Sequence, residues 1–289
     1  MENLHQQGEG NVRPSQAFGR CAYPRQAARH ETREIARTGV TQTAKRHRSR
    51  VLVGTSGWTY AGWRGPFYPE KVPKSAWLNY YATHFGTTEI NSSFYRTPTL
   101  EAVRSWRDQT PREFVFAWKA SKFITHWKRL TSRCENSIAL MQTRLEALGP
   151  KALVVLFQLP AHFAKNCLRL DDFLRMLPSG YRYAFEFRHK SWYDDDVFEI
   201  LHVHDVSLCL SDHRDAPSPW EVTASHVYVR GHGPDGHYRD NYSAKTLQHW
   251  ADRISAWQRQ RRSVLVYFDN DQKAAAPKDA GRLVDLLRR

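Results

Sequence analysis

The chain has 289 residues, enough for one large domain with a sizeable core, and 13% of them are aromatic, ten being Trp. Its formal charge is +14; residues 1–50 hold ten Lys and Arg against four Glu, about +6, so the excess is shared with the remainder. Such a surface attracts polyanions, nucleic acid among them, without defining a reaction, and no apolar run approaches the ~18 residues of a membrane span.

The four cysteines (Cys21, Cys134, Cys167, Cys209) are scattered, with no CxxC pair and no hydrophobic leader before them. A secreted disulfide framework is therefore not expected, and the cytosol is the expected compartment. Residues 1–50 are rich in Gln, Arg, Ala and Thr, with few large apolar side chains. They are expected to form a disordered basic tail ahead of a single domain over 51–289.

From Val51 the texture changes. Val51 to Ser56 reads as a short apolar strand, and a loop carrying Trp58, Tyr60, Trp63, Phe67 and Tyr68 follows it. A helix is expected over 75–85, a strand over 87–91, a helix over 99–107 and a third strand over 114–119. Ile138, Met141, Leu145 and Leu148 give helical spacing over 134–148, which Gly149 and Pro150 terminate. The fourth strand covers 153–158, and a helix over 170–177 ends at Pro178 and Gly180. Further strands are expected at 183–188, 207–212, 226–232 and 264–269, with helices at 197–204, 243–259 and 279–287. Eight strands alternating with helices define an α/β protein of the (β/α)8, TIM-like barrel class, and the glycine-rich phosphate signature of a dinucleotide fold is missing.

Side chains alternate across a strand, so parity sorts those that face the barrel interior. In the fifth strand Tyr183, Phe185 and Phe187 suit the helix layer, which leaves Ala184, Glu186 and Arg188 pointing inward. The same reading places Ser56, Glu89, Asn91, Lys119, Gln158, Asp212, Arg230, His232 and Asp269 inward at strand ends. Any one of these residues has a structural explanation as a core ion pair. Their convergence at the carboxyl ends of barrel strands points instead to a ligand or catalytic site.

The cations Lys119, Arg188 and Arg230 suit a small anionic or phosphorylated ligand, with Glu89 and Glu186 as candidate acid and base. Trp58 and Tyr95, with Tyr60, Trp63, Phe94 and Trp192, are candidates to stack on a base or sugar, or to pack as a lid. His126, His189 and His232 beside Glu89, Glu186, Asp212 and Asp269 supply the donor types for Zn²⁺ or Mn²⁺ but lack HExxH spacing, so a divalent metal is the alternative and not the leading expectation.

Seven runs carry a resemblance to a known family. They are Gly54 to Pro69 (GTSGWTYAGWRGPFYP), Glu89 to Arg96 (EINSSFYR), Phe116 to Lys119 with Thr125 and His126, Phe157 to Pro160 (FQLP), Glu186 to Trp192 (EFRHKSW), Tyr228 to Gly233 (YVRGHG) and Tyr267 to Asp271 (YFDND). In order and spacing they resemble domain-of-unknown-function family 72, the YecE-like family, over essentially all of 51–289. Ala161 and Lys273 depart from the family's pattern in loops. The resemblance implies a TIM-like barrel and brings His189 and Asn270 into the candidate ligand set, but it implies no established activity. Its barrel is similar to the endonuclease-IV and sugar-isomerase type.

The expectation is a hydrolase or lyase acting on a phosphorylated or nucleic-acid substrate. A metal-dependent endonuclease-IV-like phosphodiesterase, a glycoside hydrolase and a non-enzymatic nucleic-acid or anion binder stand as alternatives. Glu186→Gln is expected to leave folding intact while removing the response to ligand.

Overall fold

A computed structural model of the chain describes residues 50–288. The expected tail over 1–50 therefore lies outside the described residues, Arg50 excepted.

Among the described residues eight strands form one parallel sheet: β1 (Val51–Thr55), β2 (Thr87–Ile90), β3 (Val115–Lys119), β4 (Ala152–Gln158), β5 (Arg182–Glu186), β6 (Ser207–Ser211), β7 (His226–Gly231) and β8 (Ser263–Phe268). Each strand pairs with its neighbour in the order β1-β8-β7-β6-β5-β4-β3-β2, which curls the sheet into a barrel. At the last seam, between β1 and β2, the ladder is reduced to a single bridge of Ser56 with Glu89.

That seam has its own chemistry. The Tyr81 hydroxyl accepts from the Thr55 amide at 2.9 Å and donates to the Thr87 carbonyl at 3.0 Å, occupying the place of a missing ladder bond. Gly54 permits the close approach, because a Cβ there would meet the Thr87 carbonyl oxygen at 2.1 Å.

The helices form the outer layer. Trp77–Ala82, Leu100–Asp108, Glu135–Leu148, Cys167–Arg175, Asp195–Val203, Ala244–Arg259 and Ala275–Leu287 match the expected segments with shifted ends. Thr99, Asn166, Asp194 and Ser243 each accept a backbone N–H of the first turn, so the sequence places these helix starts. The closing helix begins four residues before the expected Asp279, in an Ala-rich turn that shows no helical period. Between β6 and β7 the chain runs as a loop containing Pro217 and Pro219, which cannot donate the bonds a helix requires. No helix among the described residues is long and apolar enough to cross a membrane.

Two apolar layers result. The interior of the barrel is filled by Ala117, Val154, Leu156, Ala184, Cys209, Tyr228, Leu265 and Tyr267, and the larger outer layer includes Tyr183, Phe185 and Phe187. The parity of β5 is the one the sequence indicates. Above the inner apolar residues, at the carboxyl ends of the strands, the filling becomes charged.

Candidate functional site

The charged floor is organised by Arg230, a fully buried guanidinium projecting inward from β7. Its Nη1 donates to Glu186 Oε2 at 2.6 Å, while Nη2 reaches Asp269 Oδ2 at 2.8 Å and both Glu89 Oε1 and Ser56 Oγ at 3.0 Å. Three carboxylates from three strands thus converge on one cation. Glu89 is held further by Ser56 Oγ on Oε1 and by the Tyr228 hydroxyl on Oε2 at 2.6 Å. Arg188, just past β5, forms an ion pair with Glu186 Oε1, and its Nη1 donates to the Tyr238 hydroxyl at 3.0 Å.

His232 lies between the two arginines. Its Nε2 is 3.1 Å from Arg188 Nη2 and 3.2 Å from Arg230 Nη1, and guanidinium groups only donate. Nε2 is therefore the acceptor, and the ring proton sits on Nδ1, facing Asp212 Oδ1 at 3.3 Å. Burial acts first on Glu186 and pushes its carboxyl up, but the neighbouring charges, Arg188 and then Arg230, outweigh it and hold the group well below the ordinary carboxyl range. Glu186 is thereby a fixed anion, which suits an electrostatic anchor and neither a proton donor nor an effective base.

Lys119 is the exception in this network. It is inward-facing and only 6% exposed, and its Nζ rests 4.8 Å from the centroid of the Phe94 ring. No carboxylate among the described residues is within ion-pair distance of Nζ, because Arg230 has taken all three. Burial, then the Arg230 guanidinium, push the amine down from the ordinary 10.5 to about 8 against the pull of Glu89, Asp269 and Glu186. His126 packs edge-to-face on Phe94 at 5.1 Å; burial, then the charge of Lys119, drive its ring down to about 4, so it is neutral at pH 7.

The expected residues thus divide. Ser56, Glu89, Lys119, Glu186, Arg188, Arg230, His232 and Asp269 come together in the floor. Trp58, Asn91 and Tyr95 line an adjacent groove of about 680 Å³, together with Tyr60 and Trp106, and this groove does not lie over Arg230. Tyr95 is 68% exposed, whereas Trp58 is packed against Trp106.

Asp212 departs from the inward reading. Parity puts Ser211 inside the barrel with Cys209, and Asp212, past the end of β6, turns to the Tyr242 hydroxyl and the His232 amide. His189 accepts from the Ser191 amide in the turn after β5, and Asn270 donates to Asp240 O and Asp279 Oδ2, so both brace loops. Gln158 ends β4 half-exposed, with no side-chain hydrogen bond among the described residues. The three candidate metal-ligating histidines are dispersed among these settings. No group of three or more His, Cys, Asp or Glu among the described residues is arranged to hold a metal ion.

Two tyrosines escaped the sequence reading. Tyr228 shares inward parity with Arg230 and His232 on β7 and was legible on that ground; Tyr238 enters from a loop, where no periodicity marks it.

A parallel (β/α)8 barrel whose carboxyl-terminal end carries a buried arginine and carboxylate network is the class that fold and geometry define. Residues 52–289 match the family described as "Protein of unknown function DUF72", and the chain belongs to that family. It is 27% identical over 238 residues to "UPF0759 protein YecE" of Escherichia coli K12, spanning 73% of this chain and 86% of that protein. Over 269 residues it is 24% identical to "UPF0759 protein YunF" of Bacillus subtilis, spanning 82% and 94%.

The crystal structure of a DUF72 family protein from Thermotoga maritima superposes with a TM-score of 0.75 at 26% identity, covering 83% of this chain and all of that one. One from Enterococcus faecalis gives 0.72 at 18% identity, covering 83% and 96%, and bears on the fold alone.

Proposed function

We propose that the carboxyl end of the barrel is an enzyme site for a small anionic substrate, phosphorylated or carboxylated, held between Lys119 and Arg188. The observation that carries this reading is Lys119, a 6%-exposed residue whose ammonium has no counter-ion among the described residues. A desolvated charge with no partner costs several kcal/mol, which a bound anion would offset. Arg188, in the same floor, has a buried Nε without an acceptor among the described residues, so a donor is left unused there.

Arg230 differs from its sequence-based role. Its two Nη groups are consumed by the protein's own carboxylates, and it serves to hold them in place. With Glu186 fixed as an anion, it is not the proton donor that a two-carboxylate glycoside hydrolysis requires. Lys119, titrating near neutrality, is the better acid and base, which favours a lyase over a hydrolase. The test is thermal unfolding in inorganic phosphate against chloride at equal ionic strength. Phosphate at 100 times its Kd should stabilise the wild type by about 2.7 kcal/mol. Lys119→Met should remove the effect, and an equal shift in both proteins would refute the reading.

A second reading concerns single-stranded nucleic acid. Tyr95 and Trp127 are 68% and 65% exposed, and Lys122 Nζ lies 5.7 and 5.4 Å from their ring centroids. The surrounding segment 115–134 holds Lys119, Lys122, Lys128, Arg129 and Arg133 and no acidic residue. Exposed rings spaced by cations form a platform on which bases stack. Fluorescence anisotropy with oligothymidylate should show salt-dependent binding that Trp127→Ala weakens about tenfold, within the ~1–3 kcal/mol of one stacked base. Binding unaffected by this change, and lost only on deleting residues 1–50, would assign the affinity to the tail instead.

A further inference from the structure

Two lysines among the described residues are buried, in opposite circumstances. Lys151 Nζ, close to the amino-terminal end of β4, donates to Arg107 O, Thr110 O and Thr110 Oγ1, the last two at 2.8 and 2.9 Å. Every proton of that ammonium is used, as a structural role requires. Lys119 Nζ, at the opposite end of the barrel, rests on the Phe94 face and has no ion-pair or hydrogen-bond partner among the described residues.

We propose that Lys119 is a nucleophile that condenses with the aldehyde or ketone carbon of a small anionic substrate to form a Schiff base. The inference rests on the anion-site reading above and names its substrate class: oxo compounds carrying a carboxylate or phosphate. In the step, the neutral amine nitrogen bonds to the carbonyl carbon. Both of its protons leave with the carbonyl oxygen as water, and C=N replaces C=O without any change of oxidation state. Protonation of the imine from solvent restores a positive charge where Lys119 carried one, facing the Glu89, Glu186 and Asp269 carboxylates.

Three features favour that chemistry. Desolvation on Phe94 and the neighbouring Arg230 charge disfavour the ammonium, which is how a lysine becomes nucleophilic near neutral pH. With the amine at about 8, roughly a tenth is neutral at pH 7, several hundred times more than for an exposed lysine. The carboxylates that would otherwise hold the proton on Nζ are bound to Arg230. Arg188, with its unpaired Nε, is left to hold the anionic end of the substrate.

Glyoxylate, a small aldehyde bearing a carboxylate, is the probe. The full-length protein is incubated with limiting glyoxylate at pH 7, reduced with borohydride, and mapped by peptide mass spectrometry. Lys119 should be modified at least tenfold faster than the exposed Lys71 and Lys74, with a rate that rises through pH 8, and inorganic phosphate should protect it. Lys119→Arg keeps the charge but cannot form the adduct, so it should retain the phosphate-induced thermal shift while losing the modification.

Modification spread over Lys71 and Lys74 with Lys119 spared overturns the Schiff base. If phosphate still stabilises the wild type in that case, the anion site survives and only the nucleophile falls. If neither modification nor stabilisation is seen, both fall together.

Discussion

Replacing Lys119 with Met is expected to stabilise the protein at neutral pH, an unusual outcome for a buried side chain at the end of a core strand. Met keeps the length and apolar stem that pack on Phe94 and discards only the ammonium. In the folded protein the amine is pushed down from 10.5 to about 8, so folding favours its neutral form. A base depressed in this way opposes folding most below pH 8, where both states are protonated. The opposition fades as pH rises from about 8 to 10.5, where the unfolded chain alone still binds the proton.

At about 1.4 kcal/mol per pH unit, the full effect is about 3 kcal/mol at pH 7 and under about 1 kcal/mol at pH 10. Urea unfolding of both proteins at pH 7 and pH 10, compared pairwise, cancels every other titrating group. A variant less stable than wild type at pH 7 would refute the reasoning, since it would make Lys119 a stabilising member of a core ion pair.

Glu186→Gln is expected to destabilise by about 3–5 kcal/mol, since it leaves Arg188 and part of Arg230 buried without their counter-charge. This reverses the sequence-based expectation of intact folding. Glu186 is held well below its ordinary range, so its contribution is present above the unfolded carboxyl's titration and is lost as pH falls through the folded value. Acid unfolding followed by circular dichroism should accordingly be less pH-dependent in the variant; an unchanged acid limb would count against the ion-pair network. Tyr81→Phe removes the hydroxyl that bridges Thr55 N and Thr87 O at the barrel seam, and should cost about 1–3 kcal/mol for each buried backbone group left unpaired. Faster amide exchange at Thr55 than at Val266, inside a complete ladder, would locate the loss at the seam, while equal exchange would refute that assignment.

How much of this was legible in the sequence depended on periodicity. The strands and most helices announced themselves by alternation and by helical spacing, whereas the caps Asn166 and Asp194, which start two helices ahead of the expected 170 and 197, lie outside any apolar period. Parity carried further, to Glu186, Arg188, Arg230 and His232, because inward residues of neighbouring strands must meet inside a closed barrel. It was incomplete where strands end: Asp212, one residue past β6, meets the floor through His232 and is shared with the Tyr242 hydroxyl. His189 and Asn270 find their partners in loops, where no period exists to read.

The charge pairing was also hidden. Composition at the strand ends shows cations beside anions, but only geometry shows that Arg230 binds Glu89, Glu186 and Asp269 at once and leaves Lys119 with none. That asymmetry is the feature from which the functional reading grows.

The most direct measurement is isothermal titration of inorganic phosphate into the wild type and Lys119→Met at pH 7, repeated on the wild type at pH 9.5. One phosphate per chain should bind the wild type at pH 7, with affinity falling at least tenfold at pH 9.5 as the amine loses its proton, and no binding heat should remain in the variant. Equal binding by both proteins, insensitive to pH, would place the anion elsewhere and contradict a ligand site built around Lys119.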